Sequence, residues 1–202
     1  MTDKRDGKNL WGSGPKVTEL RRRASDRLPP RRAVLATLGR DRPGLVTALT
    51  ALIEELGLSI EDSRMTVLGG EFATLLSVAG SNERLNQLEG AFARFCDEHA
   101  LASLFRISNE KPVTPALPYR VSVLALDHPG IVRSVANFFS ERAINIINLD
   151  TELTRAPHTG TAMFDLLMTV AIPEDTPIAE LAGAFNAFCA DANLDGELTI
   201  DR

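Results

Sequence analysis

The chain says the same thing twice. GRDRPGLV at residues 39–46 returns as ALDHPGIV at 125–132, and LEGAFARFCDEHAL at 88–101 returns as LAGAFNAFCADANL at 181–194 with seven of 14 positions identical. The spacing between matched residues grows from 86 at Asp41 and Asp127 to 93 at Leu88 and Leu181. An insertion therefore separates the two pairs, and it falls largely between the middle strands, where Leu68-Gly-Gly-Glu71 of the first copy faces the longer LTRAPHTGT, 153–161, of the second. A repeat of this length makes the fold a pair of similar domains rather than one large one.

The hydrophobic periodicities recur in one order. The spans 33–38 and 119–126 read as strands, an apolar run in the first copy and an alternating one in the second. Helical spacing follows the Pro-Gly: Leu45, Leu49, Leu52, Ile53 and Leu56 in the first copy, Ile131, Val135, Phe138 and Phe139 in the second. Gly57 supplies a helix stop. Strands are expected at 59–68 and 72–79, and again at 145–154 and 162–172. The second helix gathers Leu85, Leu88, Phe92 and Phe95 on one face, echoed by Leu181, Phe185 and Phe188, ahead of last strands at 102–108 and 196–200.

The order βαββαβ, written twice, has few compact solutions. Right-handed crossovers give an α+β fold of two tandem ferredoxin-like domains, each an antiparallel four-stranded sheet with both helices on one face. The expected domains are 33–108 and 119–202, joined by a linker at 109–118 that holds three prolines. A module of this size with one bare sheet face buries little by itself, so pairing of copies or chains is expected.

Charge separates the leading segment from the rest. Residues 1–32 carry ten Lys or Arg against four Asp or Glu, although the whole chain of 202 residues has a net charge of -5. This basic segment, with Gly-Ser-Gly, a Pro pair and the single Trp11, reads as a disordered arm able to touch an acidic surface or nucleic acid. Arg22-Arg-Ala-Ser25 is a short match to a basophilic kinase site. No apolar leader follows Met1 and no apolar run approaches a membrane span, so a reduced, cytoplasmic protein without membrane contact is expected.

Asp41 and Asp127 stand just ahead of a helix, where a short carboxylate caps free backbone amides. Pro43 and Pro129 suit the first helical turn, and Gly44 and Gly130 leave room for a close neighbour. The same atoms also suit a ligand. A helix N-terminus attracts a carboxylate while an adjacent aspartate attracts an ammonium, and a free amino acid carries both. One Asp cannot fully serve as cap and as ammonium acceptor.

GRDRPGLVTALTALIEELGLSI and ALDHPGIVRSVANFFSERAINIINLD resemble the opening of ACT domains, small regulatory modules that bind amino acids. Two such modules without an attached enzyme resemble the tandem ACT type that represses transcription of the glycine cleavage system. The resemblance implies ligand sites at Asp41, Gly44 and Leu45 and at Asp127, His128, Gly130 and Ile131, with Asn145 and Ile146 contributing across an interface. It implies a small amino acid, glycine or serine, as ligand, no cofactor, a homodimer, and a DNA-binding regulator as protein partner. The copies differ where Arg42 matches His128 and Ser59 matches Asn145, so inequivalent sites are expected.

Other residues point elsewhere. Cys96 and Cys189 occupy matching places beside the apolar face of the second helix and read as packing. His99, His128 and His158 lack metal-ligand spacing, and phosphate-binding, zincin and nucleophile-elbow motifs are absent from the sequence. Two rival readings accompany the sensor: a purely structural dimerisation module, and an enzyme of unknown reaction.

Overall fold

The computed structural model describes residues 31–108, 115–155 and 159–201. The arm up to Pro30, with Trp11 and the 22–25 site, lies outside the described residues, as does His158 in the hairpin insertion. The chain divides into two compact units between Lys111 and Pro112.

The first unit runs β1 (Arg31–Arg40), α1 (Leu45–Glu55), β2 (Ser59–Leu68), β3 (Glu71–Gly80), α2 (Asn82–His99) and β4 (Ala102–Ser108). The second runs β5 (Ala116–Leu126), α3 (Ile131–Ser140), β6 (Asn145–Arg155), β7 (Ala162–Pro173), α4 (Ile178–Asp191) and β8 (Asp195–Ile200). Each forms one antiparallel sheet, ordered β2-β3-β1-β4 and β6-β7-β5-β8. This is the ferredoxin-like pair expected from the repeat.

Boundaries moved where backbone pairing outruns hydrophobicity. Arg31 and Arg32, read as arm, pair with Gly80 and Ala79 and open β1. Ala116, Leu117 and Pro118, read as linker, pair with β7. Pro118 is tolerated in a central strand because its carbonyl accepts from Asp201 on the β8 side, where its missing N–H also points and where the β8 ladder has ended at Ile200.

Alternation sorts each strand into a helix-covered and a bare face. In β1, Ala33 and Leu35 are fully buried, while Leu38 on the bare face is 53% exposed. The first core joins Leu35, Leu49, Ile53, Leu76, Leu88 and Phe92; the second is centred on Phe139, Phe185, Leu166 and Met168. Phe138, Phe139, Phe185 and Phe188 form one aromatic group in the second, with centroids 5.1 to 6.1 Å apart.

Helix ends repeat a single device. Gly57 takes φ 63° after α1, where its N–H meets the Glu54 carbonyl and that of Leu58 meets Ile53, a Schellman closure. Ala100, Ala143 and Asn193 take the same left-handed turn after α2, α3 and α4. The residues that follow, Leu58, Leu101, Ile144 and Leu194, are all buried, so the turn is held by the apolar side chain it delivers to the core. Among the described residues no helix is long and apolar enough to cross a membrane.

Candidate functional site

The two Asp-x-Pro-Gly segments link β1 to α1 and β5 to α3. The Leu45 N–H reaches the Arg42 carbonyl at 3.4 Å, and Gly44 has φ 92° and ψ -11°. Those are the values of the third residue of a type II turn, which takes Pro second and Gly third. Gly130, at φ 102° and ψ -5°, repeats it. A Cβ at either glycine would meet nothing within 4 Å. The glycines are thus needed for their backbone angles, no protein atom makes a close approach to either, and the prolines sit in the turn rather than in the first helical turn. Leu45 and Ile131 pass directly into the cores.

The aspartates are not caps. Gly44 and Gly130 occupy the N-cap positions, no side chain bonds to the first amides of either helix, and neither first turn holds an acidic residue. The Asp41 and Asp127 main chains are held by the hairpins, their N–H groups donating to the Gly70 and Ala162 carbonyls at 3.3 and 3.1 Å. Their side chains stand exposed. The expected competition between cap and ligand for one carboxylate therefore does not arise. Pro-Gly alone starts the helix.

Around this shared turn the domains build different surroundings. In the first, a cavity of about 520 Å³ is lined by Arg40, Asp41, Arg42, His99 and Ala100. The Arg42 guanidinium donates to the His99 carbonyl at 2.5 Å, placing a cation on the negative end of α2. His99 stacks on Phe95 with ring centroids 4.2 Å apart, and its Nδ1 lies 2.9 Å from the Phe95 carbonyl. The loop is thereby latched to the second helix.

In the second domain a cavity of about 450 Å³ is bounded by Asp127, His128, Gly130, Ile131, Arg133 and Phe164, among others. His128 turns back on itself, its Nδ1 3.2 Å from the Pro129 carbonyl, so no latch forms. Phe164 faces the cavity half-buried, whereas its counterpart Phe72 is 4% exposed in the first core. A carboxylate, an uncapped helix N-terminus, a guanidinium and an aromatic wall share one small space. Such a set offers an anion acceptor and a cation acceptor a few ångström apart.

Asn145 and Ile146 begin β6, Asn145 exposed and Ile146 packed against the core, with a bulge immediately after them. Asn145 pairs with Ala171, nine residues along β7 from the Ala162 that holds Asp127. At the strand rise that is roughly 30 Å. A single domain does not bring these two residues to Asp127. Phe164 and Arg133 were not singled out from sequence, and His99 was weighed only as a metal ligand. Phe164 was findable, since alternation along 162–172 puts it on the covered face at the β7 end beside Asp127.

The cysteines have another job. Cys96 and Cys189 are buried, and burial pushes both thiols up, a smaller opposing pull on Cys96 coming from its hydrogen bond with Ser103. Gly196 stands where the first domain has Ser103, and a Cβ there would lie 2.4 Å from the Cys189 sulfur. These are packing thiols. Among the described residues no three His, Cys, Asp or Glu are grouped as a metal site requires.

A family model of the ACT domain matches residues 31–107. The glycine cleavage system transcriptional repressor of Escherichia coli (strain K12) is 27% identical over 169 residues, 83% of this chain and 88% of that one. The UPF0237 protein SMU_72 of Streptococcus mutans is 38% identical over 66 residues, 32% of this chain and 74% of its own length. Among solved structures, an unknown protein from Galdieria sulphuraria superposes with a TM-score of 0.73 at 24% identity, over 86% of this chain and 99% of that one. A candidate glycine cleavage system transcriptional repressor gives 0.68 at 22%, over 86% and 98%, and both agree in fold. Residues 31–107 therefore match the ACT domain, and the chain as a whole resembles tandem ACT proteins of the glycine cleavage system transcriptional repressor type.

Proposed function

We propose that this protein senses a small amino acid, glycine or serine, and passes its occupancy to a DNA-binding regulator of glycine metabolism, acting as a cytoplasmic homodimer. The observation that carries the reading is at Asp127: the carboxylate caps nothing and stands exposed beside an uncapped helix N-terminus. The Asp127 carboxylate would take the ammonium, and the first amides of α3 with Arg133 would take the ligand carboxylate. Phe164 and Ile131 stand where the ligand side chain would lie. Gly130 shapes the turn, His128 edges the cavity, and Asp41, Gly44 and Leu45 supply the corresponding set in the first domain. Asn145 and Ile146, remote within their own domain, belong to such a site only when contributed by a neighbouring module. The name of the E. coli relative, a transcriptional repressor of the glycine cleavage system, supports the link to glycine metabolism.

A ligand that prefers one arrangement of the protein shifts its population toward that arrangement, and a partner reads the shift. Thermal unfolding of the purified chain against the twenty free amino acids tests this. Glycine or serine at 100 times its dissociation constant adds about 2.7 kcal/mol to a single-site protein. A selective rise in midpoint, lost in Asp127→Asn, is expected. A flat panel would leave only the structural-module reading.

A further inference from the structure

We infer that the bare sheet face of the first domain is the surface through which a second copy of this chain docks, and that the bare face of the second domain is built to refuse the same contact. The inference rests on the homodimer proposed above and names its face.

The register defines three rungs across the bare face of the first sheet. They are Asp62–Ser77–Val34–Arg106, Arg64–Leu75–Ala36–Leu104 and Thr66–Ala73–Leu38–Ala102, each read from β2 through β3 and β1 to β4. The face is apolar at its centre and open to solvent: Leu75 is 49% and Leu104 58% exposed. On the two inner strands each rung sets a large side chain beside a small one. Val34 accompanies Ser77, Leu75 accompanies Ala36, and Leu38 accompanies Ala73.

A second copy related by a two-fold axis along the strands, between β1 and β3, keeps every rung level and exchanges the strands. β1 then lies over β3, and β2 over β4. Leu75 of one copy meets Ala36 of the other, Leu38 meets Ala73, and Val34 meets Ser77, so each large residue faces a small one. At the edges Arg106 meets Asp62 of the second copy, whose carboxylate also holds Arg64 of its own chain at 2.6 Å, and Leu104 lies on the Arg64 stem. The face is complementary to itself in size and in charge, as an isologous contact requires. Sheets packed in this way keep their strands within about 30° of each other.

The second domain gives the internal contrast. Its bare-face rungs include Asp150–Leu167–Ser122–Glu197 and Glu152–Asp165–Leu124–Asp195. The same operation sets Asp150 against Glu197 and Glu152 against Asp195. The cation of that face, Arg120, is already paired with Asp201 at 2.8 Å. Four like-charge meetings per pair of copies forbid the contact.

The docking face measures roughly 19 by 23 Å from strand spacing and rise, below the size of standard stable interfaces, so association is expected to be weak and to depend on concentration. Sedimentation equilibrium of the full chain from 1 to 300 μM tests it, with circular dichroism confirming the fold of each variant. The wild type dimerises, Leu75→Asp is monomeric, and Leu167→Asp on the other face dimerises normally. Arg106→Asp and Asp62→Arg each weaken the dimer by about tenfold or more, and the double variant restores it, because the reversed charges meet again across the axis. A wild type that is monomeric throughout overturns the homodimer and the face together. A dimer that survives Leu75→Asp, or a double reversal that fails to restore association, overturns the face alone.

Discussion

The β1–α1 and β5–α3 junctions start from the same four-residue pattern and end as different environments. In the first, Arg42 reaches the His99 carbonyl and ties the loop to the end of α2. In the second, His128 stays on its own turn and Phe164 opens toward the aspartate. The difference separates what the fold demands from what it leaves open. Both turns need Pro and Gly for backbone reasons; neither uses its aspartate as a cap. A duplicated domain keeps the first constraint and is released from the second, and the residue after the aspartate then decides whether the loop is latched or left accessible.

The cores diverge in the same spirit, and the largest expected effect lies there. The second core rests on four phenylalanines in mutual contact, and Phe185 touches Phe138, Phe139 and Phe188. Phe185→Ala is expected to cost about 3–5 kcal/mol, as truncation of a buried aromatic does. Urea unfolding followed by circular dichroism should show an early transition for the second domain. A single cooperative transition shifted as a whole would mean that the two domains do not unfold separately.

The first core has a fault that the second lacks. Thr37 and Thr74 face each other across β1 and β3, 4% and 5% exposed, and among the described residues their hydroxyls have no partner. The second domain has Val123 and Leu166 at the matching pair. Replacing Thr37 by Val keeps the shape and removes a buried, unbonded hydroxyl, which is expected to stabilise the first domain by about 1 kcal/mol. Destabilisation by the same amount would mean that an internal water holds the pair.

How much of this was legible depends on the kind of constraint. The repeat and the 2.0 and 3.6 periodicities located every strand and helix, because burial of one face writes itself into residue type. The Pro-Gly turn was visible but assigned to the wrong mechanism: a cap and a type II turn place Asp, Pro and Gly in the same order, and only the φ of Gly44 distinguishes them. The left-handed helix ends at Ala100 and Ala143 left no glycine to read. The Arg42 latch joins residues 57 apart, and the exposure of Phe164 but not Phe72 depends on packing rather than on residue type. The self-complementary rungs needed the register, which one residue of slip would invert.

The latch makes a smaller prediction. Arg42→Ala removes a charged hydrogen bond on an exposed loop and should lower the stability of the first domain by about 0.5–1 kcal/mol, more in low salt than in high. His128→Ala, which removes a bond only to its own turn, should leave the second domain unchanged. Equal effects in the two would erase the distinction between a tied and an untied junction.

The smallest effect on stability is the most informative about function. A capping aspartate replaced by a non-capping residue costs about 1 kcal/mol, but Asp41 and Asp127 bond to no helix amide. Asp41→Ala and Asp127→Ala should therefore each change the unfolding free energy by less than about 0.5 kcal/mol, the range of surface substitutions. Ligand response should nevertheless separate them. In the second domain the carboxylate stands beside the uncapped α3 terminus, Arg133 and Phe164 with no arginine tied across the loop, so Asp127→Ala should abolish the midpoint rise with glycine or serine. In the first, Arg42 neighbours Asp41 and is already committed to His99, so Asp41→Ala should lower the response only in part. A loss of 1 kcal/mol or more in either variant without ligand would mean that the aspartate closes the helix start in solution.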